Sequence, residues 1–121
     1  MLSSGLLERP LGASPLVYDW YTIKADVGAL RIEAIEVEDL ILDKIESRHG
    51  VRLEEVEQTC YGEDRHVRRS REGLYKLFGR SEAGRYLLVV LAEVGQGVWR
   101  LVTAREMNDG ERRLYRRAIG A

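Results

Sequence analysis

Apolar positions along this 121-residue chain change their period twice, and each change marks a new kind of element. Residues 1–16 have no period: Ser3-Ser4-Gly5, Pro10, Gly12 and Ser14-Pro15 make them read as a mobile leader. Residues 17–23 are aromatic and β-branched and suit an extra edge strand, so the first 29 residues stand apart from a single domain over 30–121. In residues 30–37, Leu30, Ile32 and Ala34 alternate with Arg31 and Glu33, which suits the start of a strand. From Glu38 the period lengthens. Val37, Leu40, Ile41 and Ile45 form one stripe of an amphipathic helix, and Gly50 supplies the left-handed position that closes it. A second short helix follows, with Leu53, Val56 and Cys60 inward and Glu54, Glu55 and Glu57 outward.

Beyond Gly62 the period shortens to that of strands, expected at about 65–69, 74–80, 85–94 and 98–105. The connections between them are short and contain glycine, so neighbouring strands should run antiparallel. Residues 86–92 are apolar at both parities, as a strand covered on both faces requires. Asn108 with Glu111 three residues on has the spacing of a capping box, opening a helix whose stripe is Leu114, Tyr115, Ala118 and Ile119. The expected class is α+β: two N-terminal helices, an antiparallel meander of about four strands, and a C-terminal helix.

Composition adds two constraints. Apolar residues at 45% suffice for a core, and the longest apolar run is too short to cross a bilayer. A lone Cys60 excludes an intrachain disulfide framework and fits the reducing cytoplasm. The net charge of −1 conceals a division: residues 1–60 hold 6 basic and 12 acidic side chains, residues 61–121 hold 13 and 8. Sixteen of the 19 basic residues are Arg, whose planar donor fork matches phosphate oxygens. Such a half fits RNA or an acidic partner, and it could also dock on the acidic half of a second copy in a homodimer. Guanidinium groups scattered in solvent would give the same composition.

His49-Gly50-Val51, Leu53-Glu54-Glu55-Val56, Gly84-Arg85 opening an apolar strand, and Val102-Thr103-Ala104-Arg105-Glu106 followed by Glu111-Arg112 and Tyr115 occur in this order. That order resembles the BrnT-like toxins, ribonucleases of type II toxin–antitoxin pairs with a RelE-related fold, over roughly residues 35–117. Arg52 stands where the family usually has a capping Ser or Thr, and the first strand lacks the family's aromatic residue. The resemblance implies metal-free cleavage of single-stranded RNA, with a small DNA-binding antitoxin as partner and no cofactor. It points to Arg105, Arg100 and Glu111 as catalytic, with Arg85, Glu106, Arg112 and Tyr115 behind them. A non-catalytic nucleic-acid- or partner-binding module on the same scaffold is the alternative.

The residues themselves add conditions. Arg stays protonated near neutrality, so it can stabilise phosphoryl charge and is a poor proton shuttle. In a regular strand Arg100 and Arg105 have opposite parity, so only a bulge or a strand ending before Arg105 would unite them. Glu111 can serve as a cap alone, and Tyr115 shares a face with Ile119 and suits the core. His49 is a candidate base, although a His at a helix C-terminus also satisfies a carbonyl there. Arg68 and Arg69, within the basic cluster that includes Arg65, His66 and Arg71, are candidates for RNA or partner binding or for a solvated edge. Arg112 with Arg116, and Arg113 with Arg117, form a basic ridge at i, i+4 spacing, either a solvated face or, as the resemblance implies for Arg85, Arg112 and Arg116, a surface that meets RNA or an acidic antitoxin segment. No spacing of His and Cys suggests a metal site.

Overall fold

The computed structural model describes residues 30–120, so the expected leader and the strand at 17–23 lie outside the described residues. The elements run β1 (Ala34–Glu36), α1 (Asp39–His49), α2 (Leu53–Cys60), β2 (His66–Arg69), a 3-10 turn (Arg71–Gly73), β3 (Leu74–Arg80), β4 (Tyr86–Gly95), β5 (Val98–Glu106) and α3 (Asp109–Ile119). Strands β2 to β5 form the antiparallel meander, while β1 pairs in parallel with β5. The sheet is therefore mixed and five-stranded, in the order β1-β5-β4-β3-β2. The strand expected within residues 30–37 forms at Ala34–Glu36, and the expected layout is corrected in one respect: that strand joins the meander as a parallel fifth member. The physical reason is the crossover. Helices α1 and α2 carry the chain over one face, from β1 at one sheet edge to β2 at the other.

Two cores result, one on each face of the sheet. The larger joins Ile45 of α1 and Val56 and Cys60 of α2 to Val67, Leu77, Leu87, Val89, Leu91, Trp99, Leu101 and Ala104. The smaller packs Tyr115 of α3 and Met107 on Phe78 and Leu88. Two stripe assignments need correction. Leu40 is 79% exposed, because Ile41, Leu42 and Ile45 turn toward the sheet and Leu40 lies well round the helix from them. Ala118 is exposed as well, leaving Leu114, Tyr115 and Ile119 as the packed face of α3.

Local signals account for the helix ends. Gly50 (φ +63°) closes α1, and its N–H donates to the Glu46 carbonyl at 3.1 Å. At the start of α2, Glu55 accepts from the Arg52 N–H at 3.0 Å, so half of a capping box forms without a Ser or Thr. Arg52 has no side-chain acceptor to complete it, and its guanidinium pairs with Glu54 at 2.7 Å. Asn108 and Glu111 form the full box on α3, at 2.8 and 2.9 Å. Before β1, the Trp99 indole donates to the Arg31 carbonyl at 3.0 Å, and Arg65 bridges the carbonyls of Cys60 and Leu30.

One irregularity positions the site. Val90 pairs with Thr103 but Leu91 with Leu101, so β5 carries one extra residue, Val102, against β4. The bulge inverts the parity of β5. Trp99, Leu101 and Ala104 all join the larger core, and Arg100, Thr103 and Arg105 share the opposite face. None of the described helices is long and apolar enough to cross a membrane.

Candidate functional site

The face carrying α3 is only partly covered, and its register sets out what the rest displays. Arg68, Lys76, Val90 and Thr103 lie directly opposite one another across β2, β3, β4 and β5. Leu74, Ala92, Arg100 and Glu36 form the next row toward one end, and His66, Phe78, Leu88 and Arg105 the next toward the other. Helix α3 lies on Phe78 and Leu88, and Val90 packs against the same cluster, while Arg68, Lys76 and Arg100 remain exposed beyond it. Neighbours in such rows are about 5 Å apart, which makes this a continuous surface bearing several cations.

Arg105 and Glu111 meet at its border. Arg105 Nη1 donates to Glu111 Oε1 at 2.8 Å and Nη2 to Oε2 at 2.9 Å, while Nη1 also donates to the Glu106 carbonyl at 3.0 Å. The Nε–H and one Nη2 hydrogen of Arg105 have no partner among the described residues. Glu111 is doubly committed, since its Oε1 also accepts the Asn108 N–H. Its carboxyl is held below the usual range, mainly by the Arg105 hydrogen bond, against burial and with help from Asn108, and Lys76 is near enough to add to the effect. Lys76 went unnoticed in the sequence. Its signal is its parity on β3, opposite Arg68 and between the partly buried Leu74 and the buried Phe78.

The other sequence candidates are dispersed. Arg100 meets Glu36 of β1 at 3.4 Å, further along the same face as Arg105. Arg85 turns inward to a clasp: Nη1 donates to Glu55 Oε1 and Oε2 at 2.8 and 2.9 Å and to the Gly50 carbonyl at 3.0 Å, and Nε donates to Glu106 at 3.1 Å. Glu106 is thereby part of that clasp. Burial raises the Glu55 carboxyl, yet hydrogen bonds from the Arg52 N–H and Arg85 outweigh it and leave the group below its ordinary value. Tyr115 is fully buried, and its hydroxyl donates to the Asp64 carbonyl at 2.6 Å. His49 closes α1, on the layer across the sheet from Arg105, and forms no hydrogen bond or ion pair with a described residue.

On β2 the two arginines diverge, Arg68 joining the open face while Arg69 lies 5.9 Å from the Tyr75 ring on the other. Arg112 and Arg116 of α3 lie over the Tyr86 ring. Burial pushes the Cys60 thiol up to about 12, which leaves it unreactive near neutrality. Among the described residues no three His, Cys, Asp or Glu side chains converge as metal ligands would.

No family profile matches this chain, and no curated protein matches it. Among solved structures, it is similar to the 1.1 Å crystal structure of the Brucella abortus ribonuclease toxin BrnT. The match covers 63% of this chain and 97% of that one, with a TM-score of 0.54 and 13% sequence identity. At that identity the likeness is one of fold: an α+β domain in which helices flank a largely antiparallel sheet.

Proposed function

We propose that this chain is a toxin-class endoribonuclease that cleaves single-stranded RNA without a metal. The observation that carries this reading is Arg105, fixed by Glu111 beside Lys76 at the border of an open cationic sheet face. The likeness of fold to a ribonuclease toxin supports it. RNA lies across the rows of Arg68, Lys76 and Arg100, with the reacting phosphate at Arg105. The ribose 2′-oxygen bonds to phosphorus and the bond from phosphorus to the 5′-oxygen breaks, leaving a 2′,3′-cyclic phosphate. Hydroxide from the solvent takes the 2′ proton, and a water molecule protonates the departing 5′-oxygen and restores the hydroxide. The unpaired donors of Arg105, with the Lys76 ammonium, hold the charge that grows on the phosphoryl oxygens. Glu111, ionised and with both oxygens engaged, is a positioning residue that aims Arg105.

A small DNA-binding antitoxin is the proposed protein partner. A second reading, a nucleic-acid-binding module without cleavage, draws on those engaged oxygens, since a carboxylate that already accepts three hydrogen bonds is a poor base. Growth separates the two. Induction of the wild-type protein should arrest growth, and Arg105→Ala at equal abundance should not. Harmless accumulation of folded wild-type protein would favour the binding module.

A further inference from the structure

Three arginines surround one tyrosine where α3 meets the sheet. The guanidinium carbons of Arg80, Arg112 and Arg116 lie 5.8, 5.7 and 5.3 Å from the centre of the Tyr86 ring. Arg116 Nη2 also donates to the Tyr86 hydroxyl at 3.3 Å. Arg80 comes from β3, Tyr86 from β4 and the other two from α3, so three elements converge. The negative charge facing them is Asp64, 3.5 Å from Arg80, while Arg112 and Arg116 have no carboxylate partner among the described residues. Tyr115, edge-on to Tyr86 with ring centres 6.0 Å apart, forms the floor.

This surplus of like charge around one ring has a chemical meaning. Three guanidinium groups gathered with a single carboxylate, Asp64, keep a net positive charge and repel one another, and a phosphate among them would relieve the repulsion while accepting forked hydrogen bonds. The site also adjoins the first. Tyr86 is the diagonal neighbour of Arg105 on the same sheet face, about 7 Å away at the backbone.

We propose that Arg80, Arg112 and Arg116 around Tyr86 hold a backbone phosphate of the same RNA strand whose cleaved bond lies at Arg105. The assignment rests on the RNA reading above and supplies a second anchor that fixes strand position across α3. The Tyr86 phenol reports on occupancy, because Arg116 and then Arg80 hold it below its ordinary value and an arriving anion would cancel their effect.

The test uses full-length protein and a labelled single-stranded 2′-O-methyl RNA, which cannot be cut, so binding is read apart from cleavage. Arg112→Ala combined with Arg116→Ala should weaken binding by roughly tenfold and reduce the salt dependence by about 0.7 in logarithmic slope, the loss of one phosphate contact. Arg113→Ala with Arg117→Ala removes equal charge from the same helix and should cost about twofold or less. The carbon resonance of the Tyr86 phenol should move on addition of the oligonucleotide. Equal weakening in the two double variants, a stationary Tyr86 resonance in the bound protein, or a wild type that does not bind would each overturn the proposal. A wild type that binds as described but leaves ordinary RNA uncut would sustain this site and overturn only cleavage.

Discussion

Arg100 and Arg105 project from the same face of the sheet, although an odd number of positions separates them in a single strand. The bulge at Val102 makes this so, and it places both on the open face while Trp99, Leu101 and Ala104 stay in the core. Their neighbours still differ. Arg100 shares its charge with Glu36 at the parallel edge, and Arg105 stands where α3 begins. Substitution should separate their roles: Arg105→Ala should lower kcat by on the order of 10²-fold, the scale of one lost transition-state donor. Arg100→Ala should raise KM several-fold and leave kcat near the wild-type value. Single-turnover cleavage of a short RNA measures both.

Glu111 should show a double signature. Glu111→Ala removes half of the capping box and releases Arg105, so stability should fall by about 1 kcal/mol and cleavage should fall with it. Asn108→Ala disrupts the cap but leaves the ion pair, and should cost similar stability with far less activity. Denaturant unfolding alongside the cleavage rate distinguishes cap from aim.

The strands, helices and most caps were legible because each has a local cause: Gly50 closing α1, the Asn108–Glu111 box opening α3, and short glycine-containing turns dividing the strands of the meander. The parallel docking of β1 was not, since only three residues pair and the partner lies more than sixty positions away. The bulge was legible only as a condition for uniting Arg100 with Arg105, because an extra residue between two apolar runs looks like either parity. Arg105 and Glu111 were both candidates, but their two-pronged contact depends on the angle at which α3 leaves β5. Lys76, Arg80 and Tyr86 were overlooked because their meaning comes from cross-strand register, which one sequence does not display.

Arg85 should matter for stability more than for RNA. Its removal strands the Glu55 carboxylate and the Gly50 carbonyl, and should cost about 1–3 kcal/mol in denaturant unfolding. Affinity for single-stranded RNA should change by less than twofold in the folded variant.

Acid should expose the two lowered carboxyls. Glu55 and Glu111 titrate lower in the folded chain than the ordinary carboxyl value of about 4.3, so their contribution is present above that value. It is lost as pH falls through the folded values, because protons then bind the unfolded chain first. The thermal midpoint should hold between pH 8 and about pH 5.5 and drop steeply below about pH 4.5. Replacing both with Gln should lower the plateau and flatten the acid limb.

The most direct measurement is the product of purified protein acting on single-stranded RNA in excess EDTA. Cleavage should persist, leave 2′,3′-cyclic phosphate ends, and spare a DNA of the same sequence, which lacks the attacking hydroxyl. The rate should rise with pH through and above neutrality without a plateau, since hydroxide rather than a titrating side chain takes the 2′ proton. Loss of cleavage in EDTA, cutting of DNA, or wild-type rates in folded Arg105→Ala would contradict the account.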